Sequence, residues 1–218
     1  VAGMWLTLGA EGGGLAVAQE IRDALRAFRD EGKFAVASSE TFGEYAAGNG
    51  AYYIAAACDE ICLQPSGDVG LNGLVFETQF LKGLFDKLEI EPQMDHRYEY
   101  KNAMNAYTET AYTVPHREAV ETVMNSQFRQ IVRGIAKGRG LDEQAVRELV
   151  DRGPFLGEEA VDAKLVDGLA YRDEVRARLE ERAGDGARFL SLATYLDRTG
   201  RPHDSGTTIA LIYGVGGV

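Results

Sequence analysis

The first forty residues pair two short apolar runs with one amphipathic pattern, and this order restricts the fold more than any other feature. Residues 4–8 and residues 34–37 have the character of strands. Between them, apolar residues recur at helical spacing at Leu15, Ala18, Ile21, Leu25 and Phe28. A strand, a helix and a strand in this order form a βαβ unit, which needs parallel strands. The sequence therefore predicts an α/β fold with a parallel sheet.

The same kind of alternation continues along the chain. Residues 48–57 are small, aromatic or alanine and predict a tightly packed helix, and residues 59–63 predict another strand. Residues 79–88 form an amphipathic pattern, and residues 91–97 predict an extended strand. The later part, 113–181, contains four helical patterns, which we expect to form a layer over the sheet. On the first helix, Arg22 and its charged neighbours are expected to face solvent.

Composition excludes several classes of function. The chain has 218 residues, 45% of them hydrophobic, which is enough to fill a substantial core. A formal net charge of −11 argues against nucleic acid as a partner. The longest apolar run, 51–58, is far shorter than the roughly 18 residues that a membrane span needs. Cys58 and Cys62 are not in a C-x-x-C motif, so we expect two buried apolar residues without a disulfide.

A tyrosine-rich loop, Arg97–Lys101, follows the predicted strand at 91–97 and carries the candidate catalytic residue, Lys101. The end of a strand in a sheet covered by helices is a common place for a reactive side chain. A lysine can act as a general base near neutral pH only when burial lowers its pKa. From spacing alone, the favoured interpretation of Lys101 is a solvated surface cation, because charged residues are mostly exposed.

Four motifs in a fixed order give the chain a family resemblance. They are the run 48–61, the Asp-Val-Gly-Leu-Asn-Gly stretch at 68–73, the Tyr-Lys-Asn-Ala stretch at 100–103, and Phe-Leu-Gly-Glu-Glu-Ala at 155–160 before Leu-Val-Asp at 165–167. Together they resemble the protease IV (signal peptide peptidase A) family of serine peptidases, part of the Clp-protease and crotonase superfamily. The resemblance implies a crotonase/Clp-protease-like parallel sheet of repeated β-β-α units with a helical layer.

The resemblance also implies a chemistry. Members of this family use a Ser/Lys dyad, in which a lysine removes the proton of a serine that attacks the peptide carbonyl. Lys101 matches the family's catalytic lysine. No cofactor and no metal are expected. The implied substrates are apolar signal peptides, and the implied assembly is a homo-oligomer at the bacterial inner membrane, on the extracytoplasmic side. Attachment would come from a membrane segment not present in this chain.

The sequence departs from the family at the nucleophile. Complete members carry Ala-Ser-Gly-Gly-Tyr, whereas this chain has Asn49 where the serine would stand. Asn49 could cap a helix or donate a hydrogen bond to a loop. Ser38, Ser39 and Ser66 could replace the missing serine, but they are interpreted as ordinary loop residues.

The long form of the family has two related domains, with the lysine on the first and the serine on the second. We therefore expect residues 1–200 to be the lysine-bearing N-terminal domain. Residues 201–218 would be a linker and the first strand, Thr208–Tyr213, of a following domain that is absent here. A domain seldom ends just after a core strand opens, so the chain is expected to be a fragment. The C-terminal serine-bearing domain would be its partner.

Two other functions remain open. A degenerate domain that only scaffolds the assembly would have an exposed, loosely held Lys101. An acyl-thioester enzyme of the crotonase kind would need an acidic pair beside the glycine-rich turn at 12–14, and none is evident. Nucleotide binding is disfavoured because that turn fits neither of the common phosphate-binding motifs.

Overall fold

The computed structural model describes residues 1–9, 13–44, 47–200, 206–207 and 210. These residues divide into two compact units, Val1–Arg178 and Leu179–Val218. Gly12 of the glycine-rich turn lies outside the described residues, and so does the predicted strand Thr208–Tyr213 except for Ala210.

Short strands alternate with helices along the described chain. The strands are β1 (Gly3–Thr7), β2 (Phe34–Ser39), β3 (Glu60–Leu63), β4 (Asp68–Val69), β5 (Phe155–Leu156) and β6 (Gly168–Leu169). The helices are α1 (Leu15–Asp30), α2 (Asn49–Ala55), α3 (Lys82–Lys87), α4 (Asn105–Thr108), α5 (Val114–Arg139), α6 (Glu143–Arg152), α7 (Gly157–Asp162), α8 (Arg172–Ala183) and α9 (Leu192–Thr199).

The main sheet is parallel, and its strand order is β1-β2-β3-β6. Trp5 of β1 pairs with Val36 of β2, and Ala37 pairs with Ile61 of β3. All residues of β2 after Phe34 are buried, as expected for a central strand that carries a continuous apolar run. A separate antiparallel pair joins β4 to β5. The predicted mixed α/β fold with a parallel sheet and helices is confirmed.

Helices α1, α2 and α5 pack together, and their packing depends on close backbone approach. A β-carbon at Gly138 of α5 would overlap the carbonyl oxygen of Ala56, just after α2. A β-carbon at Gly48 would likewise overlap the carbonyl oxygen of Phe42. Glycine is therefore required sterically at both positions. The tight packing predicted for residues 48–57 is confirmed, and Tyr52 is fully buried.

The prediction that Arg22 faces solvent is wrong. Its side chain is only 1% exposed, and its guanidinium donates hydrogen bonds to the carbonyl oxygens of Tyr53 and Gly134, the latter at 2.8 Å. The guanidinium carbon also lies 4.1 Å from the centre of the Tyr53 ring. Burial lowers the pKa of Arg22 to about 10. Arg22 faces inward because α1 is covered by both α2 and α5, which helical periodicity alone does not reveal.

The motif at 165–167 ties the sheet to the end of α5. Asp167 accepts two hydrogen bonds from Arg139, at 2.8 and 2.9 Å, and one at 2.7 Å from the backbone N–H of Ile61 in β3. The Tyr52 hydroxyl donates to the carbonyl oxygen of Leu165 at 2.6 Å. These contacts show that the motif stabilises the fold.

The segment between β4 and α4 differs most from expectation. No strand forms at 91–97, and α3 covers only Lys82–Lys87 of the helix predicted at 79–88. Ile90 and Met94 are each about half exposed, so this segment has no buried face that could hold it against a neighbouring strand. The 74–77 stretch belongs to no strand or helix, and its Val75 is 85% exposed.

The second unit contains the end of α8 and the whole of α9. Helix α9 begins after Ser191, whose hydroxyl oxygen accepts a hydrogen bond from the backbone N–H of Thr194 at 3.2 Å. Across both units, none of the described helices combines the length and the apolar character needed to cross a bilayer.

Candidate functional site

Lys101 lies in the loop before α4, exposed to solvent and not at the end of a strand. The sequence predicted that Lys101 follows a strand at 91–97, and this is wrong because residues 91–97 form no strand. The backbone N–H of Lys101 donates to the carbonyl oxygen of Tyr98 at 3.3 Å, which closes a tight turn. Within the described residues, the Lys101 ammonium has no salt bridge.

An open groove of about 390 Å³ surrounds Lys101, and we call it the Lys101 groove. Its other lining residues are Met94, Asp95, His96, Ala103, Met104 and Tyr107. Both methionine side chains offer flexible apolar contact area, and Tyr107 adds an aromatic face. The groove can therefore accept an apolar segment next to the lysine.

The Lys101 loop is attached on both sides to the first turns of α5. On the side before the lysine, the Tyr100 hydroxyl donates to the Glu118 carboxylate at 2.9 Å. The Glu118 carboxylate raises the pKa of the Tyr100 phenol through this hydrogen bond. On the side after the lysine, Asn105 Nδ2 lies 3.3 Å from Thr113 Oγ1 and 3.4 Å from His116 Nδ1.

Asn105 and His116 are functional candidates that the sequence did not reveal. Both are buried, at 5% and 6% exposure, although both residue types are usually found at or near the surface. The His116 ring also packs edge-on against Tyr112, with ring centres 4.8 Å apart. The sequence predicts a helix start at Thr113. It does not predict that Asn105 lies against His116, so neither residue was recognised.

Asn49 is buried at the first residue of α2, where the resemblance places the nucleophile. Its Nδ2 donates to the carbonyl oxygen of Gly73 at 2.6 Å. Of the two predicted roles, the hydrogen bond to a loop is confirmed, and the helix cap is wrong because Gly48 occupies that position. An amide committed in this way cannot act as a serine-like nucleophile.

A second open groove, of about 500 Å³, lies beside the carbonyl acceptor of Asn49. Asn72, Gly73 and Leu74 form one part of its lining, together with Met124 and Phe128 of α5. It shares no lining residue with the Lys101 groove. Lys101 and Gly73, the partner of Asn49, therefore line separate grooves.

The three local serines are poorly suited to replace the nucleophile. Ser38 and Ser39 were predicted to lie in a loop, and this prediction is wrong because both belong to β2. The Ser38 hydroxyl oxygen accepts a hydrogen bond from the Trp5 indole at 2.7 Å, and Ser39 donates to the carbonyl oxygen of Leu8 at 2.7 Å. Ser66 accepts a hydrogen bond from the Gln64 amide at 2.9 Å.

The two cysteines are free and buried, as predicted. Burial raises the pKa of each thiol to about 12, which keeps both in the unreactive protonated form near neutral pH. In the described part of the chain, no group of three or more His, Cys, Asp and Glu side chains could hold a metal ion.

Comparison with known proteins points to peptidases. The model of peptidase family S49 matches residues 27–185. Serine protease SPPA, chloroplastic, of Arabidopsis thaliana is 28% identical over 184 residues, covering 84% of this chain and 26% of that protein. Protease 4 of Salmonella typhi is 28% identical over 211 residues, covering 91% of this chain and 33% of that protein. The chain thus spans about a third or less of the length of these two curated relatives.

Among solved structures, a peptidase from Plasmodium falciparum is similar over 78% of this chain and 78% of its own, with a TM-score of 0.39 and 10% identity. A similarity this low transfers no functional feature.

Proposed function

Because the chain belongs to peptidase family S49, we propose that it is the lysine-bearing domain of a serine peptidase with a Ser/Lys dyad. Lys101 is the general base in this proposal, and the nucleophilic serine lies on a second domain outside the chain. The supporting observation is the pairing of a lysine beside an apolar groove with an amide, Asn49, at the position of the nucleophile. The chain therefore offers a base without its nucleophile.

The proposed reaction is ordinary acyl transfer. Neutral Lys101 removes the serine proton while the serine oxygen attacks the carbonyl carbon of the peptide. The protonated lysine then gives this proton to the nitrogen of the leaving amine as the C–N bond breaks. The neutral lysine then removes a proton from water, whose oxygen attacks the acyl carbon, and the lysine returns this proton to the serine oxygen as the ester bond breaks.

In this proposal, the serine-bearing domain shields Lys101 from solvent. A lysine is a good base only in a dry environment, yet the Lys101 side chain is exposed in this chain. A serine-bearing domain that packs over the Lys101 groove would supply both the nucleophile and the desolvation. We also propose that the complete protein forms a homo-oligomer at the membrane, in which serine-bearing domains pack over the Lys101 grooves.

The proposed substrates are apolar peptides such as cleaved signal peptides. The methionines Met94 and Met104 and the Tyr107 ring make up much of the Lys101 groove, and all three favour apolar side chains. Besides Lys101, Asp95 and His96 are the only Asp, Glu, His, Lys or Arg residues in the described lining of the groove, so the lining has no charged cluster that would select an acidic or basic peptide.

The deciding experiment is Lys101→Ala in the complete protein. We expect kcat/KM for an apolar reporter peptide to fall by about a thousandfold, because the proposed dyad then lacks its general base. The melting temperature should not change, since the side chain is exposed and has no ion-pair partner in the described chain. Lys87→Ala, which removes another exposed lysine from α3, is the matched control and should retain full activity.

The second candidate function is a scaffold domain without a catalytic role. It is favoured by the exposure of Lys101, which that hypothesis expects. The same variant separates the two functions. Full activity of Lys101→Ala would contradict the dyad and favour the scaffold, whereas loss of activity with a normal melting temperature would exclude a domain without a catalytic role.

A further inference from the structure

We infer that Asn105 is a positioning residue for Lys101, acting through hydrogen bonds that anchor the lysine loop on the first turn of α5. This inference rests on the proposed role of Lys101 as a base. Asn105 does not touch the groove itself, because its side chain points away into a buried polar cluster with Thr113 and His116. Its effect on the reaction would therefore be indirect.

The anchor is built from groups that are costly to bury. Asn105 and His116 are each at least 94% shielded from solvent, so an amide or ring nitrogen without a partner there would be strongly unfavourable. The amide N–H groups of Asn105 reach Thr113 Oγ1 and His116 Nδ1 at 3.3 and 3.4 Å. Thr113 in turn caps α5, where its hydroxyl oxygen accepts from the backbone N–H of His116. The cluster thus joins α4 to a helix start that is itself fixed.

The distance along the chain from this anchor to the lysine is short. Asn105 is four residues after Lys101, and its backbone N–H donates to the carbonyl oxygen of Asn102 at 3.0 Å. The Tyr100 hydroxyl, on the residue before the lysine, donates to Glu118, which is two residues after His116 on α5. The lysine is consequently held between two attachments to the same rigid helix.

A third contact closes the loop from the other direction. The backbone N–H of Leu81 donates to the carbonyl oxygen of Ala106 at 2.6 Å, and Phe80 packs edge-on against Tyr112 with ring centres 5.2 Å apart. The segment that enters α3 therefore rests on the residues that follow Asn105.

A general base must be placed within hydrogen-bond reach of its proton, and an error of about 1 Å can cost a factor of about a hundred in rate.

The test is Asn105→Ala in the complete protein, with activity measured across pH. We expect kcat/KM to fall at least tenfold with KM changed less than twofold. We also expect the acidic limb of the pH profile to move to higher pH, because a looser and wetter lysine keeps its proton longer. Loss of folded enzyme would lower the whole profile without moving it along the pH axis, so the shift separates positioning from stability.

Two exposed side chains give a second route if Asn105→Ala fails to fold. Tyr100→Phe should lower kcat/KM about threefold, and Glu118→Gln should stay within twofold because its amide oxygen can still accept from Tyr100. Tyr171→Phe is the matched control, since Tyr171 has the same exposure, 51% against 53%, and lies outside the loop. Its activity should equal that of the unchanged protein.

The outcomes distinguish this inference from the function on which it rests. An inactive Lys101→Ala together with an unmoved pH profile in Asn105→Ala would overturn the positioning role alone. If Asn105→Ala does not fold, a kcat/KM in Tyr100→Phe equal to that of Tyr171→Phe overturns it instead. A fully active Lys101→Ala would overturn the dyad itself, and the positioning role with it.

Discussion

Asn49 Nδ2 donates a hydrogen bond of 2.6 Å to the carbonyl oxygen of Gly73. This bond connects the first residue of α2 to the loop that follows β4, at the position where the resemblance expects a nucleophilic hydroxyl. Asn49 is only 5% exposed, and its hydrogen bond to the Gly73 carbonyl is partly buried. The side chain in the nucleophile's place therefore stabilises the fold.

Asn49→Ala should lower the free energy of unfolding by about 1 kcal/mol, because the partly buried hydrogen bond to the Gly73 carbonyl would be lost. The measurement is urea unfolding followed by circular dichroism. Asn72→Ala is the matched control, since Asn72 is exposed one residue before Gly73 and should cost less than about 0.5 kcal/mol. Equal stability of the two variants would show that the Asn49 bond is dispensable.

Arg22→Ala should be more damaging, with a loss of about 3 kcal/mol or more in the free energy of unfolding. The substitution removes the donors of two buried carbonyl oxygens, those of Tyr53 and Gly134, and also leaves a cavity under the Tyr53 ring. Arg22→Lys should not restore stability, because an ammonium cannot reproduce the planar fork of a guanidinium.

The control for Arg22 is Arg26→Ala, one turn later on the same helix. Arg26 pairs with Asp23 at the surface, at 3.1 Å, and such pairs contribute about 0–1 kcal/mol. Chemical denaturation of the three variants side by side makes the comparison. If Arg22→Ala and Arg26→Ala were equally stable, the buried position of Arg22 would be contradicted.

Stability should fall as pH rises above the ordinary thiol pKa, and the cysteines should account for part of the fall. In the folded chain the pKa of Cys58 and of Cys62 is about 12, raised from 9.0 by burial. Between these values the unfolded chain has lost its thiol protons while the folded chain keeps them, so the folded state is disfavoured. This contribution is complete below pH 9 and is lost as the pH rises toward 12.

The double variant Cys58→Ala with Cys62→Ala isolates this contribution, because tyrosines and lysines titrate in the same range. The free energy of unfolding, measured at several pH values from about 8 to about 11, should fall less steeply in the variant than in the unchanged chain. Parallel pH dependences would mean that the folded thiols titrate normally.

The helix and the strands at the start of the chain were predictable from local sequence. The ranges of α1, β2 and β3 agree with expectation to within two residues at each end, because helical spacing of apolar residues marks the helix and short apolar runs mark the buried strands. The start of α5 at Thr113 was also predictable, since a threonine before a proline is a typical helix start. The prediction of a strand at 91–97 was wrong because a strand needs a neighbouring strand to pair with, and the local sequence does not show whether one is present.

The candidate site was predictable only in part. Lys101 was found through the order of motifs around it, and its role remains a prediction. Its surroundings were not found, because Asn105 and His116 are ordinary polar residues until the chain turns at α4 and brings them together beneath the loop.

The sequence by itself determined the parallel α/β class, the succession of helices and the amide at position 49, since each depends on residue type or on spacing along one element. Only the tertiary structure decided that Arg22 is buried and that Lys101 is exposed on an anchored loop. The reason is physical: burial and hydrogen bonding depend on which distant groups meet. Arg22 meets residues 31 and 112 positions away in Tyr53 and Gly134, and no local pattern encodes those contacts.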